Sequence, residues 1–186
     1  MTRPALDLDP VAIGRKIRVL REERGISLSE LARRAEVGKA TLSGLETGTR
    51  NPTLETLWAI TAQLGVPFAA ILDSPSPQTT VHGEAVEARL LQVFEDEGAT
   101  YELYRLHIPA GSQQISPGHP EGTTEHITVF AGILSAGPVG AHAQAGPGGY
   151  LTWVSDVQHS YTVIGLEDVH ASLLIRYPAQ GKGPRS

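Results

Sequence analysis

The stretch Ser27-Leu-Ser-Glu-Leu-Ala-Arg-Arg-Ala-Glu-Val-Gly-Lys-Ala-Thr-Leu-Ser-Gly-Leu-Glu46 admits few folds, because its apolar residues recur at helical spacing on either side of one short break. Ser27 and Glu30 predict a capping box, in which the N-cap hydroxyl and the N3 carboxylate each satisfy an orphan backbone N–H. Leu31, Ala32 and Ala35 make an apolar face with a small residue where a second helix crosses closely. Val37 breaks the first helical phase, and Leu42 and Leu45 restart it three residues apart. The expectation is two short helices folded across a tight turn. An ordinary helical hairpin uses the same spacing, so the flanking residues decide what kind of pair this is.

Those flanks are Ile13-Gly-Arg-Lys-Ile-Arg-Val-Leu-Arg-Glu-Glu-Arg-Gly25, Glu46-Thr-Gly-Thr-Arg-Asn-Pro-Thr53 and Leu64-Gly-Val-Pro67. With them the pair reads as a helix-turn-helix, whose second helix enters the DNA major groove. Residues 11–72 resemble the lambda-repressor-like (XRE) DNA-binding domain, which implies a five-helix unit that binds a double-stranded operator. Leu28 stands where many relatives carry a phosphate-binding Gln, and Glu36 holds a turn position usually given to Gly. Gly38 and Gly44 remove side chains from the reading helix. With Leu42 and Leu45 facing inward, the motif turns Lys39, Ala40, Thr41, Ser43, Gly44 and Thr47 toward DNA. Lys39 and Ser43 then approach base edges or phosphates. Arg50 and Asn51, just beyond the helix, read as backbone contacts or as a solvated turn. Ser27 and Ser29 are implied to bind phosphate at the start of the preceding helix.

A chain of 186 residues suits two small domains. No run approaches the ~20 apolar residues of a membrane span, and the start lacks the basic-then-apolar layout of a secretory signal. The chain has no cysteine, which excludes disulfides, thiolate metal sites and thiol redox sensing. A cytoplasmic protein with no membrane partner is expected. The net charge of −5 is unevenly spread: residues 1–72 hold 10 Lys and Arg against 8 Asp and Glu, and residues 73–186 hold 5 against 12. All seven histidines lie in the second part. A net of +2 serves local phosphate contacts without a broad basic surface, and the acidic part is not expected to touch DNA.

Asp9-Pro10 predicts an N-cap and first-turn proline for a helix reaching about Arg24. Another helix starts at Pro52-Thr53, with Leu54, Leu57, Ile60 and Leu64 at helical spacing, and a last short one runs from Pro67 to near Leu72. Asp73-Ser-Pro-Ser-Pro-Gln-Thr-Thr80 reads as an extended, fairly stiff linker. Beyond it the period falls to two, as in Glu102, Tyr104, Leu106, Ile108 and in Ile127, Val129. Clusters such as Ala145-Gly-Pro-Gly-Gly149 separate the runs. Short strands at this spacing argue an antiparallel sandwich or barrel.

Two segments of the β region stand out: His119-Pro-Glu-Gly-Thr-Thr-Glu-His-Ile-Thr-Val-Phe-Ala-Gly132 and Gly146-Pro-Gly-Gly-Tyr-Leu-Thr-Trp-Val-Ser-Asp-Val-Gln-His-Ser-Tyr161. They resemble the two motifs of the cupin fold, a small jelly-roll barrel. His119, Glu125 and Gly132 hold the first spacing, with Glu121 where a second His is typical. His159 fits the second motif, while Asp156 and Val163 depart from it. Residues 119 and 121 are two apart and face one way on an extended segment. Glu125 joins them if the turn between preserves that face, and His159 comes from a facing strand. Two imidazoles and two carboxylates suit Zn²⁺, Mn²⁺, Fe²⁺ or Ni²⁺. The same residues also read as polar groups of a pocket without metal. His126 points to the opposite face by alternation, and Trp153 and Tyr161 line a pocket or pack a core.

The expected fold class is therefore α+β in two domains. Residues 1–72 form an all-α five-helix lambda-repressor-like domain, 73–83 a linker, and 84–180 an all-β cupin jelly-roll barrel. The expected function is a DNA-binding transcriptional regulator, not an enzyme, whose cupin domain senses a small-molecule effector, with or without a divalent metal, and makes a homodimer. The alternative is a metal-dependent cupin enzyme with a DNA-binding appendage.

Overall fold

The structure is a computed structural model that describes residues 9–72, 80–83 and 85–179. Most of the expected linker, residues 73–79, lies outside the described residues. Helix α1 spans Pro10–Glu23, α2 Leu28–Arg34, α3 Lys39–Glu46 and α4 Leu54–Leu64. The Asp9 carboxylate accepts from the Val11 N–H at 2.9 Å and starts α1. Thr53 caps α4 by accepting from Thr56 N–H. The fifth helix is absent: Phe68–Ile71 closes a single 3₁₀ turn and the chain is extended again at Leu72. Four residues after Pro67 suffice for one i→i+3 turn and no more.

The turn between α2 and α3 is closed by backbone bonds from Glu36 N–H to Arg33 O and from Val37 N–H to Ala32 O. This pattern needs a left-handed residue, and Glu36 takes it at φ 55°. The capping box is half formed. Ser27 Oγ accepts from Glu30 N–H at 3.1 Å, but the Glu30 carboxylate is held by Arg33 at 2.8 Å and Arg34 at 2.7 Å. Gly14 lets α1 cross α3 in direct contact, since a Cβ there would fall inside the Leu45 carbonyl. Nearby, Arg21 of α1 grips Glu46 of α3 with two bonds, 2.6 and 2.7 Å long.

Ten strands follow: β1 (Thr80–His82), β2 (Glu87–Asp96), β3 (Ala99–Ile108), β4 (Gln113–Ser116), β5 (Thr124–Ala131), β6 (Ile133–Pro138), β7 (Ala143–Ala145), β8 (Tyr150–Val154), β9 (His159–Ile164) and β10 (Val169–Tyr177). They form antiparallel sheets ordered β1-β2-β3-β10-β5-β8 and β4-β9-β6-β7. From β3 onward each strand's successor mostly lies in the opposite sheet, the interleaving that defines a jelly roll. The expected barrel is in fact two open sheets packed face to face. Residues 80–82, expected in the linker, pair with β2 as an edge strand.

Inward positions on alternate residues, including Tyr104, Leu106, Ile108, Ile127, Val129, Leu173 and Ile175, fill the space between the sheets. This core continues without a break into the helices, through Leu57, Trp58, Phe68 and Ile71. The helical unit is docked on the mouth of the jelly roll, not hung beside it. Ala69 N–H donates to Glu102 Oε1 on β3 at 2.6 Å, and Gln114 of β4 donates to Glu55 of α4.

Candidate functional site

The second half of the chain places three of its expected ligands together. His119, Glu125 and His159 are all buried, and one donor atom of each lies within 4.8 Å of the others. Glu125 enters from β5 on the parity of Ile127 and Val129, and His159 opens β9. His119 comes from the loop before β5, where its N–H bonds Ser155 O at 2.9 Å. That loop can press against the β8–β9 turn because Gly118 has no Cβ to strike the Asp156 carbonyl.

Glu121 is not with them. The segment is not extended there: Pro120 O accepts from Thr123 N–H in a tight turn, so two-residue alternation does not apply, and Glu121 is exposed. His126 lies on the outer face, near Thr124, Tyr150 and Thr152.

Inside the trio, His119 Nε2 is 2.8 Å and His159 Nε2 3.1 Å from Glu125 Oε1. Tyr161 donates its hydroxyl to Glu125 Oε2. Burial pushes the Glu125 carboxyl up, but the facing His159 and His119 outweigh it and hold the group ionised, well below the usual carboxylate range. For His159 burial opposes the charge, and the Glu125 carboxylate overcomes it and raises the imidazole. Burial and the same carboxylate drive the Tyr161 hydroxyl far above its ordinary value, so it remains a neutral donor.

The arrangement fits a divalent cation. His159 Nδ1 lies 2.9 Å from the Val157 carbonyl, which orients the ring and fixes its tautomer. Its Nε2, although near Glu125, is out of line for a hydrogen bond and is a buried nitrogen without a hydrogen-bond partner among the described residues. Two imidazole nitrogens and a carboxylate, leaving further positions open, are a donor set for Zn²⁺, Mn²⁺, Fe²⁺ or Ni²⁺. Trp153 is half-buried, 6.1 Å between ring centres from His159 and 6.0 Å from Tyr161.

The first half presents the reading helix to solvent. Lys39, Ala40 and Ser43 are exposed on α3, Thr41 and Gly44 partly so, and Leu42 and Leu45 are buried. The Thr47 hydroxyl folds back on the Ser43 and Gly44 carbonyls at 3.0 and 3.2 Å. Arg50 and Asn51 are exposed, and the Arg50 stem crosses Gly44 so closely that a Cβ there would touch its Cγ and Cδ. Ser29 is exposed, while the Ser27 hydroxyl is engaged as the cap of α2.

The helix-turn-helix family HTH_3 matches residues 17–71. Over 165 residues the chain is 32% identical to the HTH-type transcriptional regulator SutR of Escherichia coli, spanning 87% of this chain and 93% of that protein. The chain belongs to the XRE family of helix-turn-helix transcriptional regulators. The regulator is also 42% identical over 62 residues to SinR of Bacillus subtilis, 33% of this chain and 56% of that protein. A solved HTH_3-family transcriptional regulator from Vibrio cholerae covers 91% of the regulator and is itself covered to 97%, with a TM-score of 0.78 and 26% identity. A solved cupin_2 domain of an XRE-family regulator from Enterobacter cloacae is 26% identical over 51% of this chain and 99% of its own, with a TM-score of 0.45.

Around the trio the regulator also places residues that sequence reading did not single out. Trp58 of α4 stands edge-on to His119, and Tyr177 of β10 does the same from another side. Ser116 pairs with His159 across β4 and β9. Glu102 is fully buried beside Tyr104 and Tyr177. Alternation with Tyr104, Leu106 and Ile108 was the available signal for Glu102. Trp58 had none, because its place depends on how the helices dock.

Proposed function

We propose that the protein is a ligand-responsive transcriptional regulator of the cytoplasm, in which α3 reads an operator and the cupin-like jelly roll senses a small-molecule effector and makes a homodimer. The observation that carries the sensing role is the buried His119–Glu125–His159 trio in direct contact with the helical unit. When bound, a divalent metal supplies a Lewis-acidic centre with open positions for effector oxygens. His119, Glu125 and His159 would hold it, Tyr161 orients the carboxylate, and burial of the trio limits access of bulk water. A dimer supports DNA binding physically, because two reading helices one DNA turn apart raise affinity through effective concentration.

Lys39 and Ser43 reach the major groove, Ala40, Thr41, Gly44 and Thr47 line the approach, and Ser27, Ser29, Arg50 and Asn51 meet the backbone. The test is a footprinting titration on a duplex selected by the full chain from a random library. Lys39→Ala should weaken binding to all sequences and lower the salt slope by about one, whereas Ser43→Ala should relax preference at one base position. Parent-like binding by both variants would overturn the docking. Sedimentation of the full chain tests the dimer, and metal analysis of the purified protein tests the trio.

A second reading, a metal-dependent cupin enzyme with a DNA-binding appendage, is favoured by one observation: two His and one carboxylate also form the facial set of non-haem Fe(II) oxygenases. Oxygen consumption by the iron-loaded protein, absent without the trio, would support it. The names of SutR and SinR, both transcriptional regulators, favour the sensor.

A further inference from the structure

We propose that Trp58 is a wall of the His119–Glu125–His159 site and the residue through which occupancy of that site reaches the reading helix; the inference rests on the trio being a metal site. Helix α4 is part of the DNA-binding unit, yet one of its faces belongs to the jelly roll. Glu55 and Trp58, three residues apart, share that face: Glu55 takes the side-chain N–H of Gln114, and Trp58 packs edge-on to His119 with ring centres 5.5 Å apart and planes at 80°. One turn on, Ala62 borders a cavity of about 400 Å³. Its other walls include His119 and Glu121 from the jelly roll and Arg34 and Glu36 from the helix-turn-helix. The reader and the sensor thus meet at His119.

The polar inventory around the trio is unbalanced. Trp58 is 1% exposed, and its indole N–H has no acceptor among the described residues; the same is true of Trp153 Nε1 and Ser116 Oγ. An indole N–H only donates. An occupant that brings oxygen acceptors, as a metal-held water or oxyanion does, answers this excess of donors. The trio cannot take up a cation while His119 Nε2 stays committed to Glu125 at 2.8 Å, so occupancy resets the imidazole on which Trp58 rests. Helix α4 packs on α1 and α2, and both of these pack on α3. In an interior packed at crystal-like density, a displaced ring moves its neighbours, and any difference in contact between the two states is a coupling free energy.

The test uses the full chain, Zn²⁺ as the probe and a duplex selected from a random library by the metal-free protein. Zinc affinity, operator affinity with and without Zn²⁺, and amide hydrogen exchange of residues 54–64 are measured for the parent and for Trp58→Phe, which keeps a ring and loses the N–H. In the parent, Zn²⁺ should change operator affinity by about tenfold and slow exchange in α4. At Zn²⁺ concentrations that saturate each protein, Trp58→Phe should show an operator response below about twofold. Zinc binding that leaves α4 exchange unchanged in the parent, or a full operator response in Trp58→Phe, overturns this inference alone. A parent that binds no Zn²⁺ removes the metal reading and this inference with it. The exchange result in the parent decides even if the variant fails to fold.

Discussion

Tyr177, at the end of β10, donates its hydroxyl to the buried Glu102 carboxylate of β3 at 3.1 Å. Tyr104 donates to the same oxygen at 2.7 Å, and Ala69 N–H reaches the other at 2.6 Å, which ties the last helical turn to the sheet. Burial outweighs these three donors and raises the Glu102 pKa to about 7.

The native state therefore keeps a proton that the unfolded chain releases between about pH 4.5 and 7, so this group's contribution to stability is full below that window and is lost as pH rises through it. A shift of this size corresponds to on the order of 3 kcal/mol. Urea unfolding at pH 5 and pH 8 should show the parent losing about three quarters of that amount more than Glu102→Gln, since pH 5 already lies inside the window. Other titrating groups, His159 included, are common to both proteins and cancel. Parallel losses would refute the assignment.

Gly14→Ala should destabilise the protein, although alanine favours a helix interior by about 1 kcal/mol over glycine. The new Cβ meets the Leu45 backbone of α3, which cannot swing aside as a side-chain tip can. Overpacking of this kind costs about 1–3 kcal/mol. A melting temperature at or above the parent's would mean that α1 and α3 do not cross there.

The Arg21–Glu46 pair sits with its side chains 10% and 6% exposed. Arg21→Ala strands the Glu46 carboxylate and should lower stability by about 3–5 kcal/mol. Arg21→Lys should fall between, since an ammonium cannot reproduce the two parallel bonds. Chemical denaturation of the three proteins orders them.

Gly44→Ala should leave stability nearly unchanged while weakening operator binding as Arg50→Ala does. The added methyl displaces only the flexible Arg50 stem, which shifts a guanidinium beside the reading helix. Both variants should reduce the salt slope by about one. A binding isotherm equal to the parent's for Gly44→Ala would separate Arg50 from the DNA.

Zinc at one hundred times its dissociation constant should stabilise the parent by about 2.7 kcal/mol through mass action. Thermal unfolding with and without Zn²⁺, reversed by a chelator, reads this directly. Glu121→Gln should keep the shift, because Glu121 stands outside the trio. His159→Ala should abolish it, and a retained shift would place the metal elsewhere.

Local rules made much of the architecture legible. Asp9, Ser27 and Thr53 cap the helices they were expected to start, and period-two alternation turned Glu125 inward with Ile127 and Val129 and His126 outward. The rules failed where the local conformation was not the one assumed. Glu121 was placed by strand alternation on a segment that turns at Pro120–Thr123, and the last short helix is one 3₁₀ turn and not an α-helix.

By itself the sequence determined the helix-turn-helix, the change to β-structure and four residues with metal-ligand chemistry, because caps, periodicity and side-chain type act over a few residues. Only the tertiary structure decided that His119, Glu125 and His159 come together without Glu121, that Glu102 is buried against Ala69, and that Trp58 leans on His119. Except for His119 and Glu125, six positions apart, those relations join residues 33 to 61 positions apart. They depend on how two apolar surfaces mate: alternation marks a buried face such as that of Glu102 but does not name the distant partner it meets.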